Sequence, residues 1–77
     1  MVNNKYIVAV FRNRSYTYSF YNEMAKQGLK CYIVNTPRQN YVSCGISCKF
    51  NLKDLIIAKS IVEKYGKSFV GFFNSAS

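Results

Sequence analysis

Four short segments rich in β-branched and aromatic residues alternate with two segments whose apolar residues recur at helical spacing. The order of these segments restricts the fold of this 77-residue chain more than any other feature does. Tyr6–Phe11 is continuously apolar, which predicts a central strand covered on both faces. Tyr16, Phe20 and Met24 then follow at intervals of four residues, as on one face of a helix.

The complete pattern predicts the element order β-α-β-β-α-β, which is the ferredoxin-like arrangement. Strands are expected over residues 5–11, 30–35, 45–50 and 68–73, and helices over residues 15–27 and 52–65. Asn51 and Asp54 have the spacing of a capping box at the start of the second helix. We therefore expect a single α+β domain over residues 1–77, in which two helices cover one face of a four-stranded antiparallel sheet.

The chain is strongly basic, with 11 Lys and Arg against 3 Asp and Glu and a net charge of +8. Such a charge favours an anionic partner, which could be nucleic acid, an acidic protein surface or a small oxyanion. The three carboxylates, Glu23, Asp54 and Glu63, are interpreted as charges on the helix surfaces. With so few of them, catalysis by a carboxylate pair is disfavoured.

Histidine is absent from the chain. This excludes His-based acid–base catalysis, Cys-His dyads and Ser-His-Asp triads. Without His and without a Cys-x-x-Cys pair, we expect no metal site, and without a glycine-rich phosphate loop we expect no cofactor. The composition thus favours a carrier or accessory protein over an enzyme.

The predicted topology brings basic residues to one end of the sheet. If strands one and two are parallel with strand three between them, then strand one ends beside the connection between strands two and three. Arg12 and Arg14 follow strand one, while Arg38 and Cys44 lie in the connection. The first amides of helix one add positive partial charge at the same place. Such a field stabilises a thiolate, so Cys44 is the expected reactive cysteine.

The remaining cations and cysteines have simpler interpretations. Lys64 and Lys67, near the end of helix two, are expected to add to the same positive field. Cys31 and Cys48 are expected within strands, as packing residues of the core.

Residues 36–38 (Thr-Pro-Arg), followed by residues 44–46 (Cys-Gly-Ile), resemble the paired signature of the Putative Se/S carrier-like family. The resemblance implies that Cys44 is a carrier cysteine, which holds a persulfide or selenide, and that Arg38 supports an anion beside it. It also implies a cysteine desulfurase or another sulfur-relay protein as partner. The candidate binding residues are Arg12, Arg14, Thr36, Arg38 and Gly45.

For the two main site candidates a structural role is the alternative. Cys44 could be a small residue retained for the turn before Gly45, and Arg38 could be a solvated loop charge.

A nucleic-acid-binding module is a second possible function. The positive charge and the seven Tyr and six Phe would suit it. The candidate stacking residues are Tyr6, Phe11 and Phe50. The signature run of RNA-recognition domains is absent, however, so aromatic packing is the favoured interpretation of these rings.

A homodimeric interaction domain without carrier chemistry is a third possible function. An uncovered sheet face that carries Tyr32, Val34 or Phe72 would be a natural dimer surface.

The chain also lacks apolar runs near the ~20 residues that a membrane span needs. Its first residues do not have the pattern of a signal peptide. The expected location is therefore the cytoplasm, without membrane association.

Overall fold

The computed structural model describes residues 5–36 and 45–74. The strands are β1 (Tyr6–Phe11), β2 (Cys31–Asn35), β3 (Ile46–Asn51) and β4 (Phe69–Asn74). The helices are α1 (Arg14–Lys26) and α2 (Leu55–Val62), and short 3-10 turns over Leu52–Asp54 and Glu63–Ser68 flank α2. The predicted order of elements is confirmed. None of these helices is long and apolar enough to span a membrane.

The four strands form one antiparallel sheet in the order β2-β3-β1-β4. β3 lies between β1 and β2 and pairs antiparallel with each of them, so β1 and β2 run parallel to each other. The fold is therefore the predicted ferredoxin-like α+β sandwich. This topology places the end of β1, the end of β2 and the start of β3 at one edge of the molecule.

The core lies between the sheet and the two helices, and Phe11 is at its centre. The Phe11 ring centroid lies 5.4 Å from that of Phe20 on α1, 5.5 Å from that of Tyr65 and 5.3 Å from that of Phe69. Tilted and edge-to-face pairs of this kind add about 0.5–1.5 kcal/mol each beyond the burial of their area. Phe50 is also fully buried. These two rings cannot stack on bases, so packing is their confirmed role.

The sheet face opposite the helices differs from the expectation in β4. Phe72 pairs with Ala9 and packs against Phe50 in the core, at 5.9 Å between ring centroids. The prediction that Phe72 lies on the uncovered face is therefore wrong. A bulge between Val10 and Phe11 shifts the register of β4 against β1. Because of it, β4 side chains do not simply alternate between the two faces, counting from the inward-facing Phe69.

Phe73 occupies that face instead, opposite Val8. Its ring lies 3.3 Å from the point where Gly71 would carry a Cβ, so the glycine makes room for it. Val8 and Val10 are buried on this face, whereas Tyr32 on the edge strand β2 is 50% exposed.

The start of the second helix is only partly as expected. The Asn51 side chain accepts a hydrogen bond from the Lys53 amide at 2.9 Å, which confirms Asn51 as a cap. Asp54 makes no cap hydrogen bond with its side chain. The 3-10 turn places Asp54 inward, with 8% of its surface exposed, so its interpretation as a surface charge is wrong.

Candidate functional site

The two ends of the connection between β2 and β3 are joined at its base. The Thr36 amide donates a hydrogen bond to the Gly45 carbonyl at 2.9 Å. The Thr36 and Ser47 hydroxyl oxygens share a second hydrogen bond at 2.7 Å, and Ser47 is fully buried. The predicted site residues Cys44 and Arg38 lie between these ends in the sequence, outside the described residues. The anchoring holds the start and end of their segment together.

Gly45, which directly follows Cys44, needs to be a glycine. Its φ of +94° lies in a region that residues with a Cβ rarely adopt. Among the described residues other than its chain neighbours, no atom lies within 4 Å of the point where a Cβ would stand. A side chain there would strain the backbone without a clash, so Gly45 sets the path by which the chain enters β3.

Arg12 is held at this same edge by two hydrogen bonds. Its amide donates to the Ser68 carbonyl at 2.8 Å, and its side-chain Nε donates to the Lys67 carbonyl at 2.9 Å. The side chain is exposed, and its guanidinium is charged at any physiological pH. Arg12 thus lies directly after the end of β1, and the described contacts direct its side chain to the Lys67 carbonyl.

The start of α1 adds further positive charge nearby. Asn13 is the N-cap residue but makes no side-chain cap hydrogen bond, and the first turn contains no acidic residue. Arg14, the first residue of α1, is exposed. The Cys48 thiol donates to the Thr17 carbonyl at 3.2 Å and ties this turn to β3. Cys48 follows Gly45 by three residues, so the helix start lies about 10 Å from Gly45 along the strand.

Lys64 does not add to this field as expected. It forms an ion pair with Glu23 on α1, and this hydrogen bond lowers the pKa of the Glu23 carboxyl. The Ser19 and Tyr65 hydroxyls, 2.8 Å apart, join the same two helical segments. Packing of neighbouring helices thus directs Lys64 along α1 and pairs its charge.

The other two cysteines are buried, as predicted, and they also contact each other. A hydrogen bond with the Cys48 thiol lowers the pKa of the Cys31 thiol, against the opposing effect of burial. The sequence analysis missed this pair, because only the strand register makes Cys31 and Cys48 neighbours. Within the described ranges, no group of three or more side chains could hold a metal ion.

A cavity at the opposite end of the sheet was also missed. It has a volume of about 460 Å³, and the buried Asp54 lies in its wall with Lys30 and Lys53. The rings of Tyr6 and Tyr32 complete its sides. It is remote from Gly45 and takes no part in the site at the connection.

In a comparison with models of known protein families, residues 5–74 match the family described as Putative Se/S carrier protein-like. The chain belongs to this family. The matched range includes both described parts of the chain and the connection with Cys44. No curated protein and no solved structure matches it.

Proposed function

We propose that the protein carries sulfur or selenium on Cys44, as a persulfide or selenide, and delivers it to an acceptor protein. The observation that carries this proposal is the convergence of structure around the connection. A hydrogen bond between Thr36 and Gly45 closes its base, and Arg12 and the start of α1 follow the end of β1 at the same edge of the sheet. Membership in the selenium/sulfur carrier-like family supports the same chemistry.

The proposed loading step is a thiol exchange with a donor persulfide. The Cys44 thiolate attacks the outer sulfur of the donor, a new S–S bond forms on Cys44, and the donor leaves as a thiolate. Both the attacking group and the persulfide product are anions. The charges of Arg12 and the helix start stabilise them, and we assign Arg38 the same role at closer range.

The donor is proposed to be a cysteine desulfurase or another sulfur-relay protein with an acidic docking surface. A net charge of +8 favours such a surface and speeds the encounter with it. We place this exchange in the cytoplasm, where thiols are kept reduced.

Self-association through the sheet face opposite the helices is a separate proposal. Tyr32 supports it with its half-exposed ring, although Val8 and Val10 on that face are already buried. A light-scattering mass above that of the monomer at tens of micromolar would support it, and a monomer mass would reject it.

Intact-mass spectrometry after incubation with a cysteine desulfurase and free cysteine tests the carrier proposal. The protein should gain the mass of one sulfur atom, located on the peptide that contains Cys44. Cys44→Ser protein should gain none, although it retains Cys31 and Cys48. Loading of the Cys44→Ser protein to the same extent would reject the proposal.

The nucleic-acid alternative has a test of its own. Filter binding to RNA and DNA over a salt series should show only weak affinity, because two candidate stacking rings, Phe11 and Phe50, are buried. Tight binding with a steep salt slope would favour the alternative.

A further inference from the structure

Cys31 and Cys48 form a buried thiol pair that the carrier function does not use. They lie on the helix-covered face, where Cys31 is opposite Phe50 and Cys48 is opposite Ile33. The two cysteines are therefore diagonal neighbours on adjacent strands. At such positions the Cα atoms are about 7–8 Å apart, and the side chains can meet.

The single thiol hydrogen of Cys48 has two acceptors within reach. One is the Thr17 carbonyl at 3.2 Å, and the other is the Cys31 sulfur. When Cys31 ionises, this hydrogen can turn towards its thiolate. The arrangement favours the anionic form of Cys31 and keeps Cys48 in contact with it, although both side chains lie in an apolar core.

Cys31 is also the accessible member of the pair. It retains 9% of its surface exposed, while Cys48 retains none. It lines a cavity of about 330 Å³, together with Tyr21, Leu29 and the exposed Lys30. A volume of ~30 Å³ accommodates one water molecule in the liquid, so this cavity has room for a hydroperoxide beside Cys31.

We propose that Cys31 and Cys48 are a redox pair, in which a hydroperoxide oxidises Cys31 and Cys48 then closes an intramolecular disulfide. In the first step the Cys31 thiolate attacks the peroxide O–O bond. A sulfenic acid forms, and the other oxygen leaves with a proton as an alcohol or as water. In the second step the Cys48 thiol attacks that sulfur, the S–S bond forms, and water leaves. The two thiols supply the two electrons that reduce the peroxide.

The disulfide changes the structure in two ways. Disulfides usually join Cα atoms 4.4–6.8 Å apart, so its formation draws the first residue of β2 towards Cys48. β2 can move because it is an edge strand of the described sheet, where it pairs with β3. The bond also removes the thiol hydrogen of Cys48 and with it the hydrogen bond to Thr17 that ties α1 to β3.

The test uses Cys44→Ser protein, so that its result is independent of the carrier proposal. After treatment with one equivalent of hydrogen peroxide and alkylation, the intact mass should fall by two hydrogen atoms. Trypsin should then release residues 31–38 linked to residues 39–49, and dithiothreitol should separate them. In this background the second peptide contains Cys48 as its sole cysteine.

A second variant separates the two steps. With Cys48→Ala added, oxidation should stop at a Cys31 sulfenic acid that dimedone traps. Absence of the linked peptides from the folded Cys44→Ser protein would overturn the proposal, whether or not the second variant folds. Oxidation of Cys48 before Cys31 would overturn it as well.

Discussion

Replacement of Gly45 by alanine should lower the free energy of unfolding slightly. It should have a larger effect on the rate at which iodoacetamide labels Cys44. At a φ of +94° a Cβ meets no atom of the described residues beyond its chain neighbours, so the cost worked from the structure is backbone strain. Left-handed backbone costs a residue with a Cβ about 1–2 kcal/mol. Alanine also reduces the conformational entropy of the unfolded chain, which stabilises the folded protein by about 0.4–1 kcal/mol. The net loss of folding free energy should therefore be about 1 kcal/mol, or about a fivefold change in the ratio of folded to unfolded protein.

Gly28 provides a matched control. It has a φ of +78° with equally open surroundings, but it ends α1 at the opposite end of the sheet. Gly28→Ala should lower the urea midpoint about as much as Gly45→Ala, with unchanged slopes for both. Only Gly45→Ala should change the rate at which iodoacetamide labels Cys44. Equal labelling rates in the two variants, at equal stability, would refute the inference that Gly45 positions Cys44.

The remaining predictions concern the charges and the core. Arg12→Ala should slow the labelling of Cys44 at neutral pH by about twofold or less, because the charge that it removes is exposed and screened by water. Lys64→Ala should leave that rate unchanged, because Lys64 is paired with Glu23; an equal slowing would contradict the assignment. Phe11→Ala should cost about 3–5 kcal/mol in urea unfolding, because it empties the centre of the core, and a loss below ~1 kcal/mol would contradict its central packing. Glu23 has a lowered pKa in the folded protein, so its stabilising contribution is present above the ordinary value of 4.5 and is lost as the pH falls through the lowered one. Glu23→Gln should therefore lose less stability on acidification than the parent protein in parallel urea titrations.

The fold was largely predictable because its signals are local. The apolar run of β1 and the four-residue spacing in α1 each identify an element without knowledge of the rest. Topology then follows from the handedness of the βαβ crossover. The edge that collects Arg12, Arg14, Thr36 and Gly45 was predictable for the same reason, since it depends on element order rather than on side-chain detail.

Features that depend on register were not predictable. One bulge beside Val10 directs Phe72 into the core and leaves Phe73 on the sheet face opposite the helices. The contact between Cys31 and Cys48 likewise needs the pairing of β2 with β3.

Contacts between side chains of different helices and of the sheet were also not predictable from the sequence. The pairing of Lys64 with Glu23 and the burial of Asp54 depend on how the helices pack on the sheet. A sequence pattern carries no distance between such residues.

Labelling of the three cysteines by iodoacetamide at neutral pH tests the central claim most directly. Peptide mass spectrometry gives the rate at each site, in the folded protein and in urea. Cys44 should react fastest in the folded protein, and faster there than when unfolded, as expected if Arg12 and the start of α1 stabilise its thiolate. Cys31 should follow, and Cys48, which is fully buried, should react last. Faster labelling of Cys31 or Cys48 than of Cys44 in the folded protein would contradict the account. So would a Cys44 that is labelled no faster in the folded protein than in urea.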